Sequence, residues 1–454
     1  MKNKKSDNKK IIESCKDIIL PGSNGVMPIA GYYGPHRPFT RRGYTSPDYM
    51  EEKYFQMIAD AGINLINYIE YTYQENPQVY HEALEMAEKY DIGLFVIDRS
   101  IKADMSDEEI SACISKYCGY KSFAGLHIAD EPSTEYFPRK LEGTDQTLSR
   151  RLLETESERS KRINSYDNMI GYTNILPLYF WMKSTPEDYE RYVKEFIESF
   201  APKVLSYDHY PFCLYYDGLG YEKAIPGYFK NFSIIYKYAK EYGLPIWSFI
   251  QAGGNWDKAF KEVDCYYPNQ EQLLWLVNIS LAYGSKGIQY YPLIQIYNVA
   301  IRPDRTLDPD RAGIIGPDGK PTRYFEYAKH ANAQIAVVDE ILLECENEGM
   351  IATGEAILPT NGLPEYFKEA SYREMISVES EEKGVIIGCF DYHDKTVLYV
   401  VNYDWVEQQK VTLHFDGTYT YKLLALGCEE EQIGEECKLN LSAGAAMLIV
   451  VEKN

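Results

Sequence analysis

The sequence predicts an α/β protein: a (β/α)8 barrel followed by a small antiparallel β-sandwich domain. Three observations carry that prediction. The chain's 454 residues exceed what one compact core usually takes. From about residue 26 to 340, short apolar runs alternate with amphipathic stretches of helical period. After about residue 346 the pattern changes to short alternating strands joined by polar turns. The expected division is an N-terminal extension over 1–25, a barrel over 26–345 and a β-domain over 346–454.

In chain order the expected barrel strands are VMPIAGYYG (26–34), INLINYIE (63–70), IGLFVIDR (92–99), FAGLHIADE (123–131), MIGYTNI (169–175), VLSYDHY (204–210), PIWSFIQ (245–251) and GIQYYPL (287–293). Stretches such as 46–62 and 76–91 lie between them, opening on a capping residue and a proline and continuing with i, i+3/i+4 apolar spacing. The run RYFEYAKHANAQIAVVDEIL (323–342) supplies an eighth helix. Eight alternating units favour a closed ring, and no GxGxxG follows the first strand, which disfavours a dinucleotide fold. In the last hundred residues, EKGVIIGCFDYHDKTVLYVVNYDW, QKVTLHFDG, YTYKLLAL and GAAMLIVVEK read as strands, with no Pro/Gly/Ser linker before them, so the two domains are expected to pack rigidly.

Composition narrows the function. A net charge of −21 disfavours nucleic acid and anionic membrane surfaces as partners. Nine scattered cysteines without a CxxC pair suggest free thiols, and with no apolar signal-like run the expected location is the cytoplasm. No histidine spacing suits a metal, and no cofactor is expected. The 42 tyrosines each offer a flat apolar face and a hydroxyl, a pairing that suits the C–H faces and polar edges of sugar rings.

In such a barrel, functional side chains gather at the C-terminal strand ends. Those ends carry Tyr32, Tyr33 and His36; Glu70 and Tyr71; Asp98 and Arg99; Asp130 and Glu131; Tyr172 and Asn174; Tyr207 to Tyr210; Gln251; and Tyr290 and Tyr291. Tyr207, Tyr210, Tyr290, Trp247 and Trp256 are stacking candidates, with Trp247 the most core-like. The bland reading of Asp130-Glu131-Pro132 is a helix N-terminus with proline at its first position.

The strand-four turn HIADEP resembles the acid-Glu-Pro turn of barrel glycoside hydrolases of clan A, such as the family-42-like β-galactosidases. LAYGSKGIQYYPL (281–293) and GPDGKPTRYFEYAKHANAQI (316–335) resemble that group's strand-eight and helix-eight segments, and the likeness spans about residues 26–340. It implies a carbohydrate substrate with Glu131 as general acid, and Asp130 stands where the clan usually carries Asn. Glu70, Asp98, Arg99, Tyr33, Asn174, Tyr207, Tyr210, Gln251 and Tyr290 are then the expected sugar contacts.

One position departs from the pattern. Where the clan's retaining enzymes place a nucleophilic Glu, this chain has Gln251, and an amide cannot form the glycosyl ester. Asp208 is the favoured second carboxylate, as nucleophile or base, with Glu70 and Asp98 behind it. Alternatively Asp130 and Glu131 form the adjacent pair of a substrate-assisted β-N-acetylhexosaminidase, or the barrel binds sugar without cleaving it.

Overall fold

The structure, a computed structural model, describes residues 20–41, 44–132, 146–178, 185–212, 221–253, 268–295, 313–357 and 370–453. Its first part is a closed parallel barrel. The strands are β1 (Ile29–Gly31), β2 (Leu65–Ile66), β3 (Gly93–Val96), β4 (Phe123–Asp130), β5 (Gly171–Ile175), β6 (Leu205–Tyr207), β7 (Ile246–Gln251) and β8 (Ser285–Tyr291). Each pairs with its sequence neighbours, and β8 closes on β1 through Ile29↔Ile288 and Gly31↔Tyr290. All eight expected strands are present.

The helices are α1 (Glu52–Asp60), α2 (Pro77–Lys89), α3 (Asp107–Ile114), α4 (Gln146–Asn164), α5 (Pro186–Phe200), α6 (Tyr221–Tyr242), α7 (Gln270–Ala282) and α8 (Arg323–Glu344). Reciprocal capping boxes start α3 (Ser106 with Glu109), α5 (Thr185 with Asp188) and α7 (Asn269 with Gln272), satisfying backbone donors that a helix start otherwise leaves open. The first helix begins later than its expected start near residue 46. The Ser46 hydroxyl accepts from the Phe39 N–H at 3.1 Å, and Tyr49 reaches across to donate to the Gly316 carbonyl at 2.8 Å. Those residues tie down a loop, so the helical turns start only at Glu52.

At Cys345 the chain passes from α8 into a seven-stranded antiparallel sheet. Its strands are β9 (Glu346–Ala352), β10 (Met375–Ser380), β11 (Val385–Tyr392), β12 (Lys395–Asn402), β13 (Gln409–Ala425), β14 (Cys428–Leu441) and β15 (Ala446–Lys453). The order is β9-β11-β12-β15-β13-β10, with β14 paired to β13. The sheet curls around a core of its own that includes Ile387, Leu398, Val400, Leu413 and Ile449. The intervening residues Ile386, Val397, Tyr399, Val401 and Leu448 join the barrel core instead. Both faces are therefore apolar, which explains the nearly unbroken run TVLYVV.

Helix α7 is the seam. Every residue from Gln272 to Ala282 is buried, because the barrel covers one side and the sheet the other. Gly388 of β11 sits so close that a Cβ there would lie 2.4 Å from the Ala282 carbonyl oxygen. Asn278 is satisfied across the seam, donating to the Gly444 carbonyl (2.8 Å) and accepting from the Tyr399 hydroxyl (2.7 Å). Trp275 is fully buried and touches Phe212, Tyr228, Phe229, Tyr403 and Trp405. Trp275→Ala is expected to lower stability by about 3–5 kcal/mol, through lost burial and the cavity left behind. Chemical denaturation reads this directly, and an unchanged midpoint would refute the seam's importance.

Among the described cysteines, Cys113, Cys345, Cys389, Cys428 and Cys437 are free thiols, whereas Cys118 is disulfide-bonded, a departure from the expectation of free thiols throughout. No helix among the described residues is long and apolar enough to cross a membrane.

Candidate active site

Strand alternation decides which side chains reach the barrel mouth. On β6, Tyr207 packs against Phe232 of α6 at 5.4 Å between ring centres, so it points into the helical layer. On β8, Tyr290 donates to Asn332 of α8 at 2.7 Å and points the same way. Both expected sugar contacts therefore sit in the barrel–helix core. Their neighbours Asp208 and Tyr291 take the inward face.

The mouth is an aromatic cup. Tyr32 and Tyr68 stack at 4.8 Å with rings 7° from parallel, and Tyr33 stands edge-on to both. Tyr210 stacks on Tyr291 at 5.4 Å, and Phe249 closes the floor 5.8 Å from Tyr32. Of these, Tyr68 and Phe249 escaped the sequence reading, although both lie within the predicted strand segments. Trp256 lies outside the described residues, and Trp247 belongs to the barrel interior with Phe95 and Tyr172.

Two residues of the cup hold left-handed backbone without being glycine: Tyr33 at φ 64° and Glu131 at φ 47°. Each costs roughly 1–3 kcal/mol, which the surroundings must offset. At Glu131 the offsetting contacts are visible. Its N–H donates to the Asn174 carbonyl at 2.9 Å, and the Tyr192 hydroxyl donates to the Pro132 carbonyl at 3.2 Å. The turn is thus pinned on both sides, with Asp130 and Glu131 half-buried.

Asp208 faces the same space and is only 7% exposed. Burial pushes its carboxyl well above the usual carboxylate range, and the neighbouring charges of Glu131 and Asp130 push it further; the Asn174 amide, donating at 3.2 Å, opposes them. The Asn174 amide is itself oriented by a buried chain of polar groups. Ser206 donates to its Oδ1 at 2.9 Å, Gln289 donates to Ser206 at 2.8 Å, and Tyr172 and Asn67 both donate to the Gln289 oxygen. That polarity leaves the Asn174 NH2 group facing Asp208.

The buried phenols and the histidine at the mouth are neutral. The Tyr32 hydroxyl bonds Asp130, and burial raises the phenols of Tyr32, Tyr33, Tyr210 and Tyr291, so they stay protonated. Tyr68 is pushed to about 12 by burial and then by Glu70. Burial lowers His127 to about 4, and its Nδ1 lies 2.8 Å from the Asn67 carbonyl, so the imidazole is neutral. Glu70 and Arg99 are exposed at the rim.

Asp98 and Gln251 are engaged by protein groups. The Asp98 carboxylate accepts from Ser100 N–H (2.9 Å), the Ser100 hydroxyl (2.6 Å), the Tyr117 hydroxyl (3.0 Å) and Gln74. Gln251 accepts from the Phe212 N–H at 3.0 Å and donates to the carbonyls of Phe212 (3.1 Å) and Gly253 (3.2 Å). An ionised Glu could not make those two donations. Gln251→Glu is therefore expected to lose about 1–3 kcal/mol of stability. Chemical denaturation measures the loss, and an unchanged midpoint would show that the two donations contribute nothing.

The arrangement brings three carboxyls, Asp130, Glu131 and Asp208, to one aromatic mouth, and burial raises the proton affinity of Asp208. Such a set can deliver and accept protons at a bond placed between its members.

No protein-family model matches the sequence, and no curated protein matches it. Among solved structures the chain is similar to a family-42 β-galactosidase from G. stearothermophilus, solved as a catalytic mutant: TM-score 0.57, 9% identity, 94% of this chain and 98% of that one. It is also similar to a protein described as a glycoside hydrolase, with TM-score 0.50, 11% identity and coverage of 96% and 99%. A β-galactosidase from the Antarctic haloarchaeon Halorubrum lacusprofundi is 14% identical at TM-score 0.44; the match covers 68% of this chain but only 58% of that one. At such identities the likeness to the first two is one of fold alone.

Proposed function

We propose that this chain is a glycoside hydrolase acting on a soluble oligosaccharide or small glycoside, with Glu131 and Asp208 as its catalytic carboxyls. The observation that carries the reading is the burial of Asp208 at the aromatic mouth, against the charges of Glu131 and Asp130. Glycosidic cleavage needs one protonated and one ionised carboxyl flanking the bond. Two coupled acids in unequal surroundings supply that asymmetry.

Before the sugar binds, burial favours the proton on Asp208, the more desolvated member. Sugar binding strips water from the half-buried Glu131 and draws the proton to it. Glu131 then protonates the leaving oxygen as the anomeric C–O bond breaks; the ionised Asp208 either activates the attacking water or forms an ester at the anomeric carbon, which a water deprotonated by Glu131 then hydrolyses. The rings of Tyr32, Tyr68, Tyr210 and Tyr291 offer apolar faces to the sugar, and the neutral hydroxyls of Tyr68 and Tyr291 donate to its oxygens.

The Asp130–Tyr32 hydrogen bond supports a second reading. An Asp held in this way next to the acid could orient a substrate's 2-acetamido group, as in substrate-assisted hexosaminidases. One experiment separates these outcomes: turnover of a panel of 4-nitrophenyl glycosides, 2-acetamido sugars included, with product anomers followed by NMR. Cleavage confined to 2-acetamido sugars favours the second reading. No turnover together with sugar-induced thermal stabilisation would replace both with a non-catalytic sugar-binding barrel.

A further inference from the structure

Asp208 and Tyr210 belong to one short segment that leaves the barrel after β6 and runs to Phe212. The β6 ladder holds its near end, pairing Tyr207 with Ser248. Phe212, fully buried, holds the far end, and Gln251 grips both of its backbone groups. The barrel does not enclose the Phe212 ring alone. Trp275 of α7 lies 6.2 Å from it, and Trp405 of the β-domain meets it edge-on at 5.7 Å and 89°.

Trp405 is carried on a stiff loop between β12 and β13. At its base, buried Asn402 shares its amide hydrogens among the carbonyls of Glu407, Leu441 and Ser442 at 2.9, 3.2 and 2.9 Å. The Asn402 side-chain oxygen accepts from the Asp404 N–H at 2.9 Å, and Asp404 in turn accepts from the Val406 N–H at 2.8 Å. Tyr403 anchors the same loop 5.9 Å from Trp275. A loop braced at this many backbone groups presents its aromatic rings in one fixed place.

We infer that the β-domain is a working part of the active site, with Trp405 a positioning residue that sets Asp208 and Tyr210 through Phe212. Its catalytic consequence rests on the reading of Asp208 proposed above. The mechanical part stands on the contacts alone. Without the Trp405 ring, Phe212 loses one wall, and the five-residue segment can shift and admit water beside Asp208. Displacing a reacting group by about 1 Å can cost up to about a hundredfold in rate.

The test compares Trp405→Ala, Trp405→Leu and Trp405→Phe in the full chain, with Ile433→Ala as a control on the exposed face of β14, where Ile433 is 69% exposed. Trp405→Ala is expected to lower kcat on the best aryl glycoside about tenfold or more, with KM changed less than about threefold. Trp405→Leu keeps apolar bulk and hence the fold, and should fall in the same direction; Trp405→Phe should restore most of the rate. Ile433→Ala should match the parent.

A second readout needs no turnover: the gain in Tm produced by Asp208→Asn, measured with Trp405 or Ala at position 405. Water admitted beside Asp208 relieves its burial, so the gain should shrink in the Ala background. Unchanged kcat together with an unchanged gain, in folded Trp405→Ala or Trp405→Leu, overturns the inference. A shrunken gain in a protein that cleaves no glycoside supports the inference and overturns only the hydrolase reading.

Discussion

Replacing Glu131 with Gln is expected to lower kcat by about 10²–10⁴-fold while leaving the protein folded. The amide has nearly the same shape, and the contacts that pin the turn, Glu131 N–H to the Asn174 carbonyl and Tyr192 to the Pro132 carbonyl, do not use the carboxyl. The substitution also removes one of the two charges that raise Asp208. Asp208 should therefore ionise at lower pH, and its limb of the residual pH–rate profile should move to the acid side. Steady-state kinetics across pH on the best aryl glycoside reads both effects. Turnover within about threefold of the parent would remove Glu131 from the proton-transfer role.

Asp208→Asn is expected to abolish turnover to a similar degree and to stabilise the protein at neutral pH. The Asn side-chain oxygen still accepts from Asn174, and nothing at the site then has to be ionised in a buried place. Because the folded-state pKa of Asp208 lies above its unfolded value of about 3.9, the native state binds the extra proton between the two. Its contribution to stability is fully present below the unfolded value and is lost as pH rises through the folded one. The Tm advantage of Asp208→Asn should thus be small near pH 4 and grow toward pH 8, reaching about 2–4 °C. Loss of activity without any pH-dependent gain in Tm would mean that Asp208 is not the desolvated carboxyl.

The two predictions together separate what each acid does. Glu131 sits half-buried on a strained turn, so its loss strikes chemistry more than stability. Asp208 is buried, so its loss strikes both, in opposite directions. That opposition is a common mark of a functional group held where folding alone would not place it.

Much of the architecture was legible in the residues. Every barrel strand produced an apolar run of the right length, and the segments of helices α2 and α8 stood out in the residues. Strand β14 did not. Of CEEEQIGEECKLNL only Cys437, Leu439 and Leu441 are buried, because β14 lies at an edge with β13 as its ladder partner. The adjoining segments QKVTLHFDG and YTYKLLAL form one continuous strand with a register shift between His414 and Tyr419, a bulge that no alternation pattern marks.

The site divides in the same way. By itself the sequence determined that acids and tyrosines recur at the strand ends, and that Asp130, Glu131 and Asp208 are among them, since strand periodicity is local and survives in the order of residues. The tertiary structure decided the rest. It turned Tyr207 and Tyr290 toward the helices and Tyr291 toward the mouth, and it engaged Asp98 and Gln251 with neighbouring protein groups. It also made Asp208 the desolvated carboxyl and brought Trp405, nearly two hundred residues later in the chain, against the same segment. Burial and proton affinity are set by groups distant in sequence and adjacent in space, so no local pattern could encode them.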